Sequence, residues 1–158
     1  MIQISEVHPS EEVLSQLIAM SEAWEAENSC FGYRKNEKSD IDGNRIFLAQ
    51  VDGNNIGYLF GHISKAERMS SIMPNGTPFF EVEELYVNPE FRSRGIGAEL
   101  FRRAEEAVKP DAEYIVLSTA TKNWRAILHF YIEELGMEFW SARLFKKIPE
   151  TPAIKRAI

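Results

Sequence analysis

Apolar and polar residues alternate from Met1 to Val7, the period of a strand with one buried face. Behind it, His8-Pro9-Ser10 opens a helix with Glu11 and Glu12 in its first turn, where carboxylates complement the helix dipole. Val13, Leu17, Met20 and Trp24 then recur at helical spacing and predict its core face. From Asn28 to Gly43 the period is lost, and Phe31 and Tyr33 stand among polar residues, which predicts a loop or short second helix at the surface. Ile46 to Val51 and Ile56 to Ile63 read as two strands, joined by Asp52-Gly53-Asn54-Asn55, residues that tolerate the positive φ of a tight hairpin turn. Residues 64 to 78 carry turn chemistry without a period and are expected to be a mobile connection.

The second half alternates strand and helix. Phe79 to Val87 predicts a strand and Gly95 to Lys109 a helix with the apolar stripe Ile96, Leu100, Ala104 and Val108. Glu99 with Arg103, and Arg102 with Glu106, are spaced for outward ion pairs. Tyr114 to Thr119 reads as a strand and Asn123 to Leu135 as a helix stopped by Gly136. Met137 to Ile148 is expected to add one or two strands. A hairpin region followed by a βαβ region implies an α/β fold with a mixed sheet.

With 158 residues and 44% apolar content, the chain can bury the core of one domain, expected over residues 1 to 148, with 149 to 158 as a tail. Runs such as Tyr114-Ile115-Val116-Leu117 are too short to cross a bilayer, and the N-terminus lacks the basic and apolar regions of a signal peptide. A soluble, cytoplasmic protein without membrane partners is the expectation. Cys30 stands alone, and His8, His62 and His129 lie in separate segments, so no disulfide framework and no metal site is expected. The formal charge of -6 disfavours nucleic acid and suits a cationic small molecule or basic peptide.

Candidate chemistry concentrates in Glu84-Leu85-Tyr86-Val87-Asn88-Pro89-Glu90-Phe91-Arg92-Ser93-Arg94-Gly95-Ile96-Gly97-Ala98. Gly95 and Gly97 clear side chains from a helix N-terminus, whose unpaired N–H groups and dipole favour a pyrophosphate. Arg92 and Arg94 add positive charge. A P-loop would need Gly-Lys-Ser/Thr, and a dinucleotide fingerprint a third glycine or alanine where Leu100 stands.

Arg92-x-x-Gly95-x-Gly97 after a strand ending Leu85-Tyr86-Val87 resembles the signature of the GNAT superfamily of N-acetyltransferases. The segment Asn123-x-x-Ala126-x-x-x-x-Tyr131-x-x-x-Leu135-Gly136-Met137 resembles that family's second block, with Met137 where phenylalanine is commoner. The likeness covers residues 1 to 148 in element order and is residue-specific from Glu81 to Met137. It implies a mixed, mostly antiparallel sheet with splayed fourth and fifth strands, flanked by helices, and acetyl-CoA as co-substrate. It further implies that Arg92, Ser93, Arg94, Gly95, Ile96, Gly97 and Ala98 hold the pyrophosphate. The backbone of Leu85, Tyr86 and Val87 would hold the pantetheine and the thioester carbonyl, Asn123 and Ala126 would lie along the coenzyme, and Tyr131 would reach its sulfur.

Acetyl transfer to an amine needs a base for the amine, a donor for the oxyanion and an acid for the departing thiolate. Tyr131 is the candidate acid. In Glu81-Val82-Glu83-Glu84, strand alternation puts Glu81 and Glu83 on one face, with Glu84 on the other unless a bulge intervenes. Glu81 and Glu83 are therefore the candidate bases, while His62 and His129 lack partners nearby in sequence. The expected acceptor is a small cationic metabolite such as an amino acid, a polyamine or an aminoglycoside-like compound. A protein N-terminus or lysine is the second reading, a CoA-binding module without turnover the third. A homodimer through the final strands and tail is also expected.

Overall fold

A computed structural model of the protein describes residues 1–150. Its strands are β1 (Ile2–Val7), β2 (Arg45–Val51), β3 (Asn54–Lys65), β4 (Pro78–Val87) and β5 (Tyr114–Leu117), and they lie in one sheet in chain order. The first four pair antiparallel, and β4 pairs parallel with β5, so the sheet is mixed as expected. The helices are α1 (Glu11–Glu27), α2 (Lys38–Ile41), α3 (Ile96–Val108) and α4 (Trp124–Leu128), the last continued by a π-helical turn over His129–Glu134.

Two apolar layers clothe the sheet. On one face α1 buries Leu14 and Leu17 against Ile46, Leu48, Tyr58, Phe60 and Tyr86, with Ile41 of α2 closing the end. The buried line of α1 runs through Leu14, Leu17 and Ser21, and the expected Val13, Met20 and Trp24 flank it half-buried. Ser10 caps this helix, its Oγ accepting from the Val13 N–H at 3.2 Å. On the other face α3 buries Ile96, Leu100, Ala104 and Val108, together with Phe101, against Phe47, Leu59, Phe80 and Val82. The outward Glu99–Arg103 pair forms at 3.4 Å.

Between β3 and β4 the register slips at Phe60/Gly61, where Gly61 faces Val82 and Phe60 faces Glu84, so Glu83 is the extra residue of a bulge. Gly61 is required there, because a Cβ would stand 2.1 Å from the Glu81 carbonyl oxygen. Residues 66 to 77, expected to be mobile, are instead tied down: Met73 is buried with Ala66 and Phe79, and the Ala66 N–H donates to the Thr77 carbonyl at 2.9 Å.

Three further expectations are corrected. The fifth strand ends at Leu117 rather than Thr119, because residues 120 to 122 turn away to bond Ser29 and Phe31. The helix expected over Asn123 to Leu135 loses its α period after Leu128, where the Leu135 N–H reaches back to the Phe130 carbonyl. Residues 137 to 148 form no strand, since apolar pattern supplies propensity but no ladder partner lies alongside them. The expected tail lies outside the described residues from 151 onward.

Candidate functional site

β4 is longer than its parallel neighbour. Their pairing stops at Val82 opposite Leu117, so Glu83 to Val87 keep their β3 ladder but have no strand on the other side. Meanwhile the chain after β5 diverges: the Phe31 N–H donates to the Ala120 carbonyl at 2.9 Å and the Lys122 N–H to the Ser29 carbonyl at 2.8 Å. The result is a V-shaped opening in the sheet, bounded on one side by backbone groups of Leu85, Tyr86 and Val87.

At the end of β4 the chain makes a 3-10 turn over Pro89–Phe91 and enters α3 through Ser93 (φ 63°) and Gly95 (φ 81°). Gly95 is the N-cap, with no side chain to occupy the helix amides. Among the described residues, the first α3 amide with a partner is that of Glu99, bonded to the Gly95 carbonyl at 3.0 Å. The N–H groups of Ile96, Gly97 and Ala98 are thus the orphan donors that attract an anion. Gly97 sits against Phe130 and Val87, which a Cβ would meet at 3.4 and 3.8 Å, so the loop is packed onto the inner side of the V.

The two arginines differ. Arg92 is engaged within the fold: its Nε donates to the Val87 carbonyl at 2.8 Å, and its Nη1 and Nη2 grip Glu27 at 2.7 and 2.9 Å. It joins the end of β4 to the end of α1, over the Tyr86 ring. Arg94 stacks over Phe91 at 5.3 Å and has no carboxylate partner among the described residues.

Asn123 precedes α4, exposed, its N–H donating to Thr121 Oγ1 at 3.2 Å, and Ala126 lies exposed on α4. The π turn shifts Tyr131 off the straight face that a regular helix would share with Asn123 and Ile127. Tyr131 instead packs between Phe130 and Phe101 against the α3 core. Burial, with the Cys30 thiol as a smaller cause, pushes its hydroxyl up to about 12. Cys30 comes close because residues 29 to 31 bridge to residues 120 to 122, a long-range pairing with no signal in the sequence.

The acidic run divides. Glu81 lies opposite His62 on β3, and burial, then repulsion from Glu83, raise its pKa above the ordinary value. Glu83, in the bulge, meets His62 Nδ1 at 3.3 Å, so the histidine that lacked a partner in sequence gains one in space. The bulge also turns Glu84 onto the α1 face, beside Glu81 rather than opposite it. There Glu84 Oε1 accepts from Tyr58 Oη at 2.7 Å, Asn36 Nδ2 at 2.9 Å and Tyr33 Oη at 3.0 Å. Burial outweighs these donors and raises the Glu84 pKa. Sequence reasoning missed this cluster because its members come from four separate segments, and only the bulge brings Glu84 to the face they share.

Comparison with known proteins agrees with this architecture. A family model described as acetyltransferase (GNAT) family matches residues 13–137. An uncharacterized N-acetyltransferase of Methanocaldococcus jannaschii is 31% identical over 104 residues, 64% of this chain and 41% of that relative's length. A solved aminoglycoside acetyltransferase from an uncultured soil metagenomic sample superposes with TM-score 0.67 at 19% identity, covering 96% of this chain and 99% of that one. AAC(6')-Iy in complex with the bisubstrate analogue CoA-S-monomethyl-acetylneamine superposes with TM-score 0.66 at 18% identity, covering 94% and 99%. These two likenesses speak for the fold.

Proposed function

The chain belongs to the acetyltransferase (GNAT) family, and from that premise we propose that it moves an acetyl group directly from acetyl-CoA to a primary amine of a small cationic metabolite. The observation that carries the reading is the end of β4–β5 pairing at Val82 and Leu117 beside an α3 N-terminus whose first amides have no partner. An extended thioester with a pyrophosphate at one end matches both: the Arg92–Ala98 loop would take the pyrophosphate, the Leu85–Val87 backbone the pantetheine, and Asn123 and Ala126 the same chain from α4. The residues present fit this co-substrate, since Gly95 leaves the amides uncovered.

In the transfer, the amine nitrogen bonds the thioester carbon, the carbon–sulfur bond breaks, and one proton leaves the nitrogen as the sulfur takes one. Burial keeps Tyr131 protonated at any working pH, as a donor must be. Giving that proton outright to an ordinary thiolate, with pKa about 8.5, is uphill by about 5 kcal/mol, so the phenol acts first as a hydrogen-bond donor to the departing sulfur. Glu81 and Glu83 remain the proposed bases, directly or through a water. The raised pKa of Glu81 is the better match to neutral pH.

Support for a cationic acceptor comes from the carboxylates of Glu81, Glu83 and Glu84 along one strand, on an acidic chain. The aminoglycoside acetyltransferases among the structural neighbours point the same way. Following thiol release from acetyl-CoA across aminoglycosides, polyamines, amino acids and short peptides tests the reading. Turnover with small polyamines or aminoglycosides supports it. Turnover with peptides alone replaces it by protein acetylation, and coenzyme binding without turnover on any amine leaves a binding module.

A further inference from the structure

We propose that residues 138–148 are an exchange arm, which in a two-fold dimer adds as an antiparallel strand to the outer edge of β5 in a second copy of this chain. The inference does not depend on the acetyl-transfer reading.

The arm is unusually apolar for an exposed segment. Phe139, Trp140, Leu144, Phe145 and Ile148 are 59%, 48%, 91%, 80% and 85% exposed. Large side chains of this kind present about 150–250 Å² each when aromatic. One arm therefore displays several hundred Å² of apolar surface, about the largest patch a monomer ordinarily shows. Two arms, each covered by the other copy, pass the roughly 1,000 Å² of buried area that a specific interface needs. The residues also alternate as a strand does, with Trp140, Ala142, Leu144 and Ile148 on one side. Among the described residues, no backbone hydrogen bond reaches the arm beyond Met137.

The same chain carries the surface that would complete it. β5 is the last strand of the sheet, its outer edge has no partner, and Tyr114 on it is 41% exposed. The opposite edge is less available, because Arg103 Nη1 donates to the Ile4 carbonyl of β1 at 3.1 Å. Charge fixes the direction. Arg143, Lys146 and Lys147 lie late in the arm, and Asp111 and Glu113 lie just before β5, so antiparallel addition sets cations beside carboxylates.

The arm does not serve its own β5. Antiparallel pairing within one chain would carry Phe145 toward Tyr114, the beginning of the strand. Phe145 instead meets Phe31 edge-on at 5.2 Å, and the Phe31 amide is bonded to Ala120, past the strand's other end. The arm thus runs past the strand and leaves the edge open. Reciprocal exchange uses each arm and each edge once, which closes the assembly at two chains.

Sedimentation equilibrium of the full chain tests the proposal, with a mass of two chains expected at about 10 µM. Leu144→Asp should raise the dimer dissociation constant by at least about tenfold. Lys146→Glu, which leaves the apolar side intact, should weaken the dimer and reduce its sensitivity to salt. In a Cys30→Ala background, a chain carrying Val116→Cys mixed with chains carrying one cysteine between 140 and 144 should give an interchain disulfide at some positions and not at others. A monomer at every concentration, a dimer equally tight in both variants, or no interchain bond at any arm position would overturn the proposal. Circular dichroism of each variant verifies that the fold is retained.

Discussion

Tyr131 carries the sharpest residue-scale expectation, because its proposed task arises only as the carbon–sulfur bond breaks. Tyr131→Phe keeps the ring against Phe101 and Phe130, so coenzyme affinity should change little while the single-turnover rate falls by about 10² to 10⁴. A rate per folded molecule equal to wild type would leave Tyr131 a packing residue. The carboxylates separate by pH. Glu81 is raised above the ordinary 4.5 by burial and by Glu83, so a base there gives an acid limb of kcat/KM lying above 4.5. Glu81→Gln should abolish that limb and lower the rate at neutral pH, with partial recovery as the amine deprotonates at high pH. A limb that persists unchanged assigns the base elsewhere.

At the scale of elements, the bulge in β4 decides which acids act together. Gly61 permits it, and Gly61→Val would force a branched side chain onto the Glu81 carbonyl, 2.1 Å from where a Cβ would stand. The expected result is a destabilisation of about 1–3 kcal/mol by urea titration, as for other insertions into packed sites, with loss of the Glu84 cluster. An unaffected midpoint would mean that the strands slip freely at this point. The π turn works likewise: by ending the regular period at Leu128, it packs Tyr131 against α3 instead of along the outer line of α4. Within α3, Leu100 is fully buried between the helix and the sheet, and Leu100→Ala should cost about 2–5 kcal/mol.

For the whole molecule, ligand binding and pH give independent readings. CoA at a hundredfold excess over its dissociation constant should stabilise the native state by about 2.7 kcal/mol, visible as a higher melting temperature. A flat response at millimolar CoA would remove the coenzyme site. Glu84 and Glu81 both have folded pKa values above the ordinary 4.5, so the native state holds their protons longer than the unfolded chain does. Their contribution to stability is therefore full below about 4.5 and is lost as pH rises through the raised values. Glu6 runs the other way. Its hydrogen bonds to Arg45 lower its pKa, so its contribution is present above 4.5 and is lost as pH falls through the lowered value. Urea midpoints between pH 4.5 and 7 should consequently fall less steeply in Glu84→Gln than in wild type, and equal slopes would discount the buried carboxylate.

Local sequence determined what depends on neighbours a few residues apart. The helix of α3 with its buried stripe, the β2–β3 hairpin with Asp52 and Gly53 at positive φ, and the uncapped turn at Gly95 were legible because period and turn chemistry are short-range properties. The coenzyme loop belongs to this class, since a pyrophosphate site at a helix N-terminus is built from consecutive amides. Only the tertiary structure decided what depends on register and on which strand stops first. It put Glu84 with Tyr33, Asn36 and Tyr58, gave His62 to Glu83, and brought Cys30 beside Tyr131. One inserted residue reverses every side chain that follows it in a strand, and that insertion is fixed by the pairing partner rather than by the strand's own sequence. Residues 138–148 show the same limit from the other side: their pattern specifies a strand, but a strand exists only where another edge receives it.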